Sequence, residues 1–73
     1  MPWYHRLVNI VLNGEPRALD LETDLAALID RLALPAKRIA VEVNGSVIRR
    51  VDWPRTPVKD GDRIEVVHFV GGG

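Results

Sequence analysis

Seventy-three residues, 47% of them hydrophobic and 27% charged, describe one small folded domain with no room for a second and too apolar for a disordered chain. Ten Lys plus Arg balance ten Asp plus Glu without a basic block, which argues against nucleic acid as the main partner. There is no cysteine, which removes disulfides, thiolate metal sites and a thiol nucleophile together and fits a reducing cytoplasm. The opening Met1-Pro2-Trp3-Tyr4-His5-Arg6 lacks the apolar run of a secretory signal, and no stretch is long enough to span a membrane. The expected location is therefore the cytoplasm, with no membrane partner.

In chain order, Val8, Ile10 and Leu12 alternate with Asn9 at period two and predict a strand over 7–12. Asn13-Gly14 supplies the positive φ angles of a tight hairpin turn. A returning strand over 17–21 has Leu19 and Leu21 as its inward pair, with Pro16 suited to its start. The period then changes. Leu25, Leu28, Ile29 and Leu32 fall at i, i+3, i+4 and i+7, the stripe of an amphipathic helix with Asp30 and Arg31 facing water. Thr23 is the expected N-cap, Asp24 sets negative charge at the positive end of the helix dipole, and Pro35 is expected to stop the helix shortly after Leu34. Ile39, Val41 and Val43 alternate again, and Asn44-Gly45 turns the chain into a short strand around Val47 and Ile48. The two Asn-Gly turns lie in unlike settings and do not form an internal repeat. Residues 51–58 carry Trp53, Pro54 and Pro57, too much proline for a central strand. Trp53 is expected as a lid over the core edge. Lys59-Asp60-Gly61-Asp62 is a turn, and the most apolar strand runs from Arg63 to Val70.

The order β, β, α, β, short β, β predicts an α+β fold. A right-handed crossover places the later strands beside the first. The compact solution is a ubiquitin-like β-grasp: a mixed sheet with the helix on one face and nothing helical on the other. The last strand runs straight into Gly71-Gly72-Gly73. A glycine run packs nothing and costs entropy to order, but it makes a thread that enters a slot too narrow for side chains. Three extended glycines reach on the order of 10 Å, and the group at the end is the carboxylate of Gly73. A frayed terminus is the ordinary alternative. The apolar strand leading into the glycines favours the functional reading. With Ile64 and Val66 inward, Val67 and Phe69 point outward beside Glu65, and with Val70 they form the expected docking patch.

Elsewhere the constellations are weak. His5 and His68 have no companion at metal-ligand spacing, so no metal site is expected. Thr23, Ser46 and Thr56 are the aliphatic hydroxyls, each explained by a turn or cap, so no nucleophilic triad is expected. No helix follows the glycines to make a phosphate-cradling loop. Arg49-Arg50 is a solvated edge with a smaller chance of steering an acidic partner. What remains is the terminal carboxylate, an anion at neutral pH that resists nucleophiles. Adenylation by ATP would activate it, and a sulfur nucleophile could then displace AMP to leave a thiocarboxylate. With no thiol of its own, the chain is read as a carrier acted on by partner enzymes, not as an enzyme, and it binds no cofactor itself.

Taken in order, Asn13-Gly14-Glu15, Ala40-Val41-Glu42-Val43-Asn44, Trp53 with Lys59-Asp60-Gly61-Asp62, and the closing Ile64-Glu65-Val66-Val67-His68-Phe69-Val70-Gly71-Gly72-Gly73 resemble the ThiS family, the bacterial sulfur carriers of thiamine biosynthesis. The resemblance covers the chain from about Val8. Residues 1–7 extend beyond the family's usual start, and residues 71–73 form the tail of a single domain over 1–73. The resemblance implies that an E1-like adenylyltransferase (ThiF-type) uses ATP to adenylate Gly73. A sulfur donor enzyme then supplies the thiocarboxylate sulfur, and a thiazole synthase (ThiG-type) receives it. It further implies that Gly72 and Gly73 are the family's diglycine, and that Val67 and Phe69 lie on the partner-binding face. The rival carrier is the small subunit of molybdopterin synthase, which typically has proline where this chain has His68-Phe69-Val70. A ubiquitin-like protein modifier is a second rival, and a β-grasp binding module with an inert tail is a third.

Overall fold

The computed structural model describes residues 7–20 and 22–69. Alternation in the sequence becomes five strands of one mixed sheet. These are β1 (Val8–Leu12), β2 (Glu15–Leu19), β4 (Ile39–Val43), β5 (Ser46–Ile48) and β7 (Arg63–His68), in the order β2-β1-β7-β4-β5. β1 lies parallel to β7, and the other neighbours are antiparallel. The chain's last strand therefore occupies the sheet's centre, between the first hairpin and the second. Both hairpins close on Asn-Gly with positive φ at each residue: 50° and 82° at Asn13 and Gly14, 52° and 87° at Asn44 and Gly45. That pairing of angles is the type I′ turn, whose twist matches the strands it joins. β2 starts two residues earlier than the composition implies, because a two-residue turn leaves Glu15 and Pro16 already opposite Leu12 and Val11. Pro16 is tolerated there because β2 is an edge strand. Leu19 packs against the core as expected, and Leu21 lies outside the described residues.

The helix, α1, spans Leu25–Arg31 and buries Leu25, Leu28 and Ile29 against the sheet. Its cap is a correction to the sequence reading. Asp24, not Thr23, is the N-cap, its Oδ1 accepting from Ala27 N–H at 2.8 Å. Thr23 instead belongs to a two-residue strand, β3 (Thr23–Asp24), that pairs antiparallel with β6 (Pro57–Val58). The helix also stops earlier than Pro35 alone would dictate. Ala33 takes φ 57°, its N–H bonding Asp30 C=O, while Leu34 N–H bonds Ile29 C=O. This is the Schellman arrangement, with alanine where glycine is usual. The residue before a proline is pushed out of the α region, so Leu34 could not have been the last helical residue.

Leu25, Leu28 and Ile29 meet Val8, Ile10, Leu12, Ile39, Val41 and Ile64 in one core, joined by Val58 and Trp53. Trp53 sits within a 3-10 helix over Arg50–Arg55, is only 3% exposed, and donates its indole Nε1–H to Ile48 C=O at 2.9 Å. It closes the core edge, as expected of a tryptophan there. The architecture is the expected β-grasp: among the described residues one α-helix lies on one face of a mixed sheet and nothing covers the other.

Candidate functional site

β7 is the element that carries the tail, and it is held with unusual thoroughness along its first half. Asp62, buried just before it, accepts from Asn44 Nδ2 at 2.9 Å and from Lys59 N–H at 2.8 Å. Asn44 answers with Oδ1 accepting from Arg63 N–H at 2.9 Å and its own N–H donating to Arg63 C=O at 2.7 Å. On the opposite flank, Asn13 N–H donates to Ile64 C=O at 2.9 Å and Asn13 Oδ1 accepts from Val66 N–H at 2.8 Å. Thus the two Asn-Gly turns, unlike in their sequence settings, do the same work: each turns a hairpin and uses its Asn side chain to grip β7. The Asn-Gly signal is visible in the sequence. The destination of each amide is not, because it depends on which strand lies alongside.

The face parity expected of β7 is the observed one. Ile64 is fully buried and Val66 packs partly against the core, while Val67 is 52% and Phe69 60% exposed on the open face. The register places Val67 beside Ala40 and Glu65 beside Glu42, with Val47 beyond Glu42 on β5. Val47, 66% exposed, extends the apolar patch and was missed from sequence because a three-residue strand shows no alternation. Phe69 N–H still bonds Arg38 C=O at 2.8 Å, so the backbone is anchored to the sheet up to that residue. Four residues remain, and at about 3.3–3.6 Å each they reach at most roughly 14 Å beyond it. Val70, Gly71, Gly72 and Gly73 lie outside the described residues.

The remaining sequence candidates stay apart. His68 is exposed on β7, while His5 lies outside the described residues. Among the described residues no group of three or more His, Cys, Asp or Glu could hold a metal ion, and no helix is long and apolar enough to cross a membrane. Arg49 makes a 3.7 Å contact with Asp52, the arginine exposed and the aspartate half-exposed, where such pairs contribute little. A cleft lined by Leu7, Val8, Thr23 and Val58 lies at the end of the sheet opposite the exit of β7 and gathers no reactive set.

Comparison with known proteins agrees with this geometry. The chain matches the ThiS family model over residues 10–73. It is 37% identical over 62 residues to the sulfur carrier protein ThiS of Thermus thermophilus, covering 85% of this chain and 95% of that protein. It is 39% identical over 66 residues to the thiazole synthase of Magnetococcus marinus and 33% identical over 66 residues to that of Paramagnetospirillum magneticum. Those matches cover 90% of this chain, and the chain spans only 20% of the length of either thiazole synthase. The crystal structure of the thiamine biosynthesis protein ThiS from Geobacter metallireducens superposes with a TM-score of 0.81 at 36% identity, covering 90% of this chain and 100% of that one.

Proposed function

The chain belongs to the ThiS family, and from that premise we propose that it carries sulfur on the carboxyl group of Gly73 for assembly of the thiamine thiazole. The observation that supports this most is the coupling of β7 to the tail. A strand gripped from both flanks carries exposed Val67, exposed Phe69 follows its end, and the sequence continues through Val70 into Gly71-Gly72-Gly73. Such a domain is a handle. Its bulk gives a partner something to hold, and its glycines let the terminal group enter a narrow site.

The chemistry assigned to that group follows from its charge. A carboxylate is resonance-stabilised and repels nucleophiles, so an activating enzyme must first convert an oxygen into a leaving group. One carboxylate oxygen attacks the α-phosphorus of ATP and pyrophosphate departs, giving an acyl-adenylate. Sulfide released by a donor enzyme then attacks the carbonyl carbon as hydrosulfide, AMP leaves with that oxygen, and loss of the S–H proton gives the thiocarboxylate. The thiocarboxylate then gives its sulfur to the substrate of a thiazole synthase, and an oxygen from that substrate or from water takes the sulfur's place and restores the carboxylate. No residue of this chain supplies catalysis in these steps. It contains no cysteine to trap the activated carbonyl, and partner enzymes perform each bond change. ATP is used by the activating partner and the carrier holds no cofactor of its own.

Val67 and Phe69 form the surface that the partners engage, and Ala40 and Val47 widen it. The test is genetic. A cell whose only copy lacks Gly72 and Gly73 should require added thiazole for growth, whereas the full chain should not. Growth of the truncated strain without thiazole would refute the carrier reading.

A further inference from the structure

β7 is paired on both sides only along its first half. β4 runs beside it from Ile64 to His68, whereas β1 is in register with Arg63 and Ile64 alone. The ladder assigns a direction to each backbone group. Phe69 N–H bonds Arg38 C=O and Arg63 C=O accepts from Asn44 N–H, so the odd-numbered residues of β7 exchange bonds with β4. The even-numbered residues face β1. Ile64 C=O accepts from Asn13 N–H, and Val66 N–H is met by Asn13 Oδ1. The Asn13 side chain thus fills the last place a neighbouring strand would have occupied. Beyond it, Val66 C=O and the N–H and C=O of His68 point to the same side, and among the described residues no backbone or side-chain group meets them.

We propose that this half-edge is a strand-addition site, where an extended segment of the protein that acts on the tail continues the sheet from the point at which Asn13 ends. The inference rests on the carrier reading and adds to it how the tail is aimed. Unpaired strand edges invite pairing with another chain, and proteins usually blunt them with Lys, Pro, a bulge or a covering element. Val66-Val67-His68-Phe69 contains neither Lys nor Pro, and His68 is exposed. The chemistry offered is main-chain hydrogen bonding, so the occupant it fits is an extended peptide. Side chains and backbone also divide the work. Val67 and Phe69 present apolar surface on the open face, while the His68 amide projects along the sheet edge, so one partner can use both. Because the edge lies immediately before the tail, pairing there would fix the direction in which the glycines leave. It reads backbone more than side chains, which suits a carrier handed between dissimilar enzymes.

Amide hydrogen exchange on the full chain tests this, measured alone and with the adenylating enzyme or the thiazole synthase of the same cell. The His68 amide should exchange freely in the isolated chain and slow by about tenfold or more in the complex, while the Phe69 amide, already bonded to Arg38, is protected in both. His68→Pro removes that N–H from the side not used by β4. It should weaken binding by about tenfold, whereas His68→Ala, which keeps the N–H, should bind like the parent. If His68→Pro fails to fold, exchange in the parent chain still decides. An unchanged His68 rate in a complex that forms would overturn the proposal, as would equal weakening by both substitutions. Protection that grows with protein concentration without partner would assign the edge to a second copy and overturn it too. Sulfur gain at Gly73 without His68 protection removes the edge and leaves the carrier reading standing, and failure of both binding and sulfur gain removes both.

Discussion

Ile64→Ala and Phe69→Ala should separate the two duties of β7, holding the fold and meeting a partner. Ile64 is fully buried, opposite Leu12 on one flank and Val43 on the other, so truncation opens a cavity at the sheet's centre. Isoleucine-to-alanine changes at such sites cost about 2–5 kcal/mol. A domain of this size has roughly 4–11 kcal/mol in all, from about 0.05–0.15 kcal/mol per residue. With about 4–8 °C of melting temperature per kcal/mol in small domains, Ile64→Ala should lower Tm by roughly 8–40 °C or prevent folding. Phe69 is 60% exposed, and its backbone bond to Arg38 survives the substitution. Its truncation should change stability by about 0.5 kcal/mol or less, a few degrees at most. Aromatic anchors at interfaces cost about 1–2 kcal/mol or more when removed, so affinity for the activating enzyme should fall about five- to thirty-fold. Thermal melts by circular dichroism with binding titrations provide both readings. If Phe69→Ala melts as early as Ile64→Ala, or binds like the parent, the division of labour along β7 is wrong.

Asp24→Ala should destabilise by about 1 kcal/mol because Ala27 N–H loses its acceptor, while Thr23→Ala should cost about 0.5 kcal/mol or less; chemical denaturation of the pair checks the cap assignment. Ala33→Gly should raise stability by up to about 1 kcal/mol, since relief of the positive φ outweighs the added freedom of the unfolded chain, and a lowered denaturation midpoint would contradict the Schellman reading. Asp62→Ala leaves Asn44 Nδ2 and Lys59 N–H without their acceptor and should cost about 2–3 kcal/mol in the same assay. Gly72→Ala should leave Tm unchanged yet slow ATP–pyrophosphate exchange by the activating enzyme, because a methyl group obstructs a slot shaped for bare backbone; an unaltered exchange rate would refute the thread model.

The period-two and helical stripes made the architecture legible, because Val8, Ile10, Leu12 and Leu25, Leu28, Ile29 announce their faces by spacing alone. The exposed side of β7 was legible for the same reason: its parity follows once Ile64 is placed in the core. Three features were not. The β3–β6 ladder has two residues per strand, too few for a period to show. Asp24 rather than Thr23 is the cap because α1 begins at Leu25, a boundary set where the β3–β6 ladder ends, and the strand paired with β3 lies more than thirty positions later in the chain. The open edge at Val66 and His68 depends on β1 ending at Leu12 while β7 continues to His68, a mismatch in strand length that emerges only when the two lie side by side.

Intact mass spectrometry of the chain after incubation with ATP, the activating enzyme and a sulfide source bears most directly on the carrier mechanism. The account predicts a mass gain equal to the difference between one sulfur and one oxygen atom, confined to Gly73 in fragment spectra and dependent on ATP. An unchanged mass under conditions where the enzyme modifies a carrier known to be active, or the same gain after removal of Gly72 and Gly73, would contradict it.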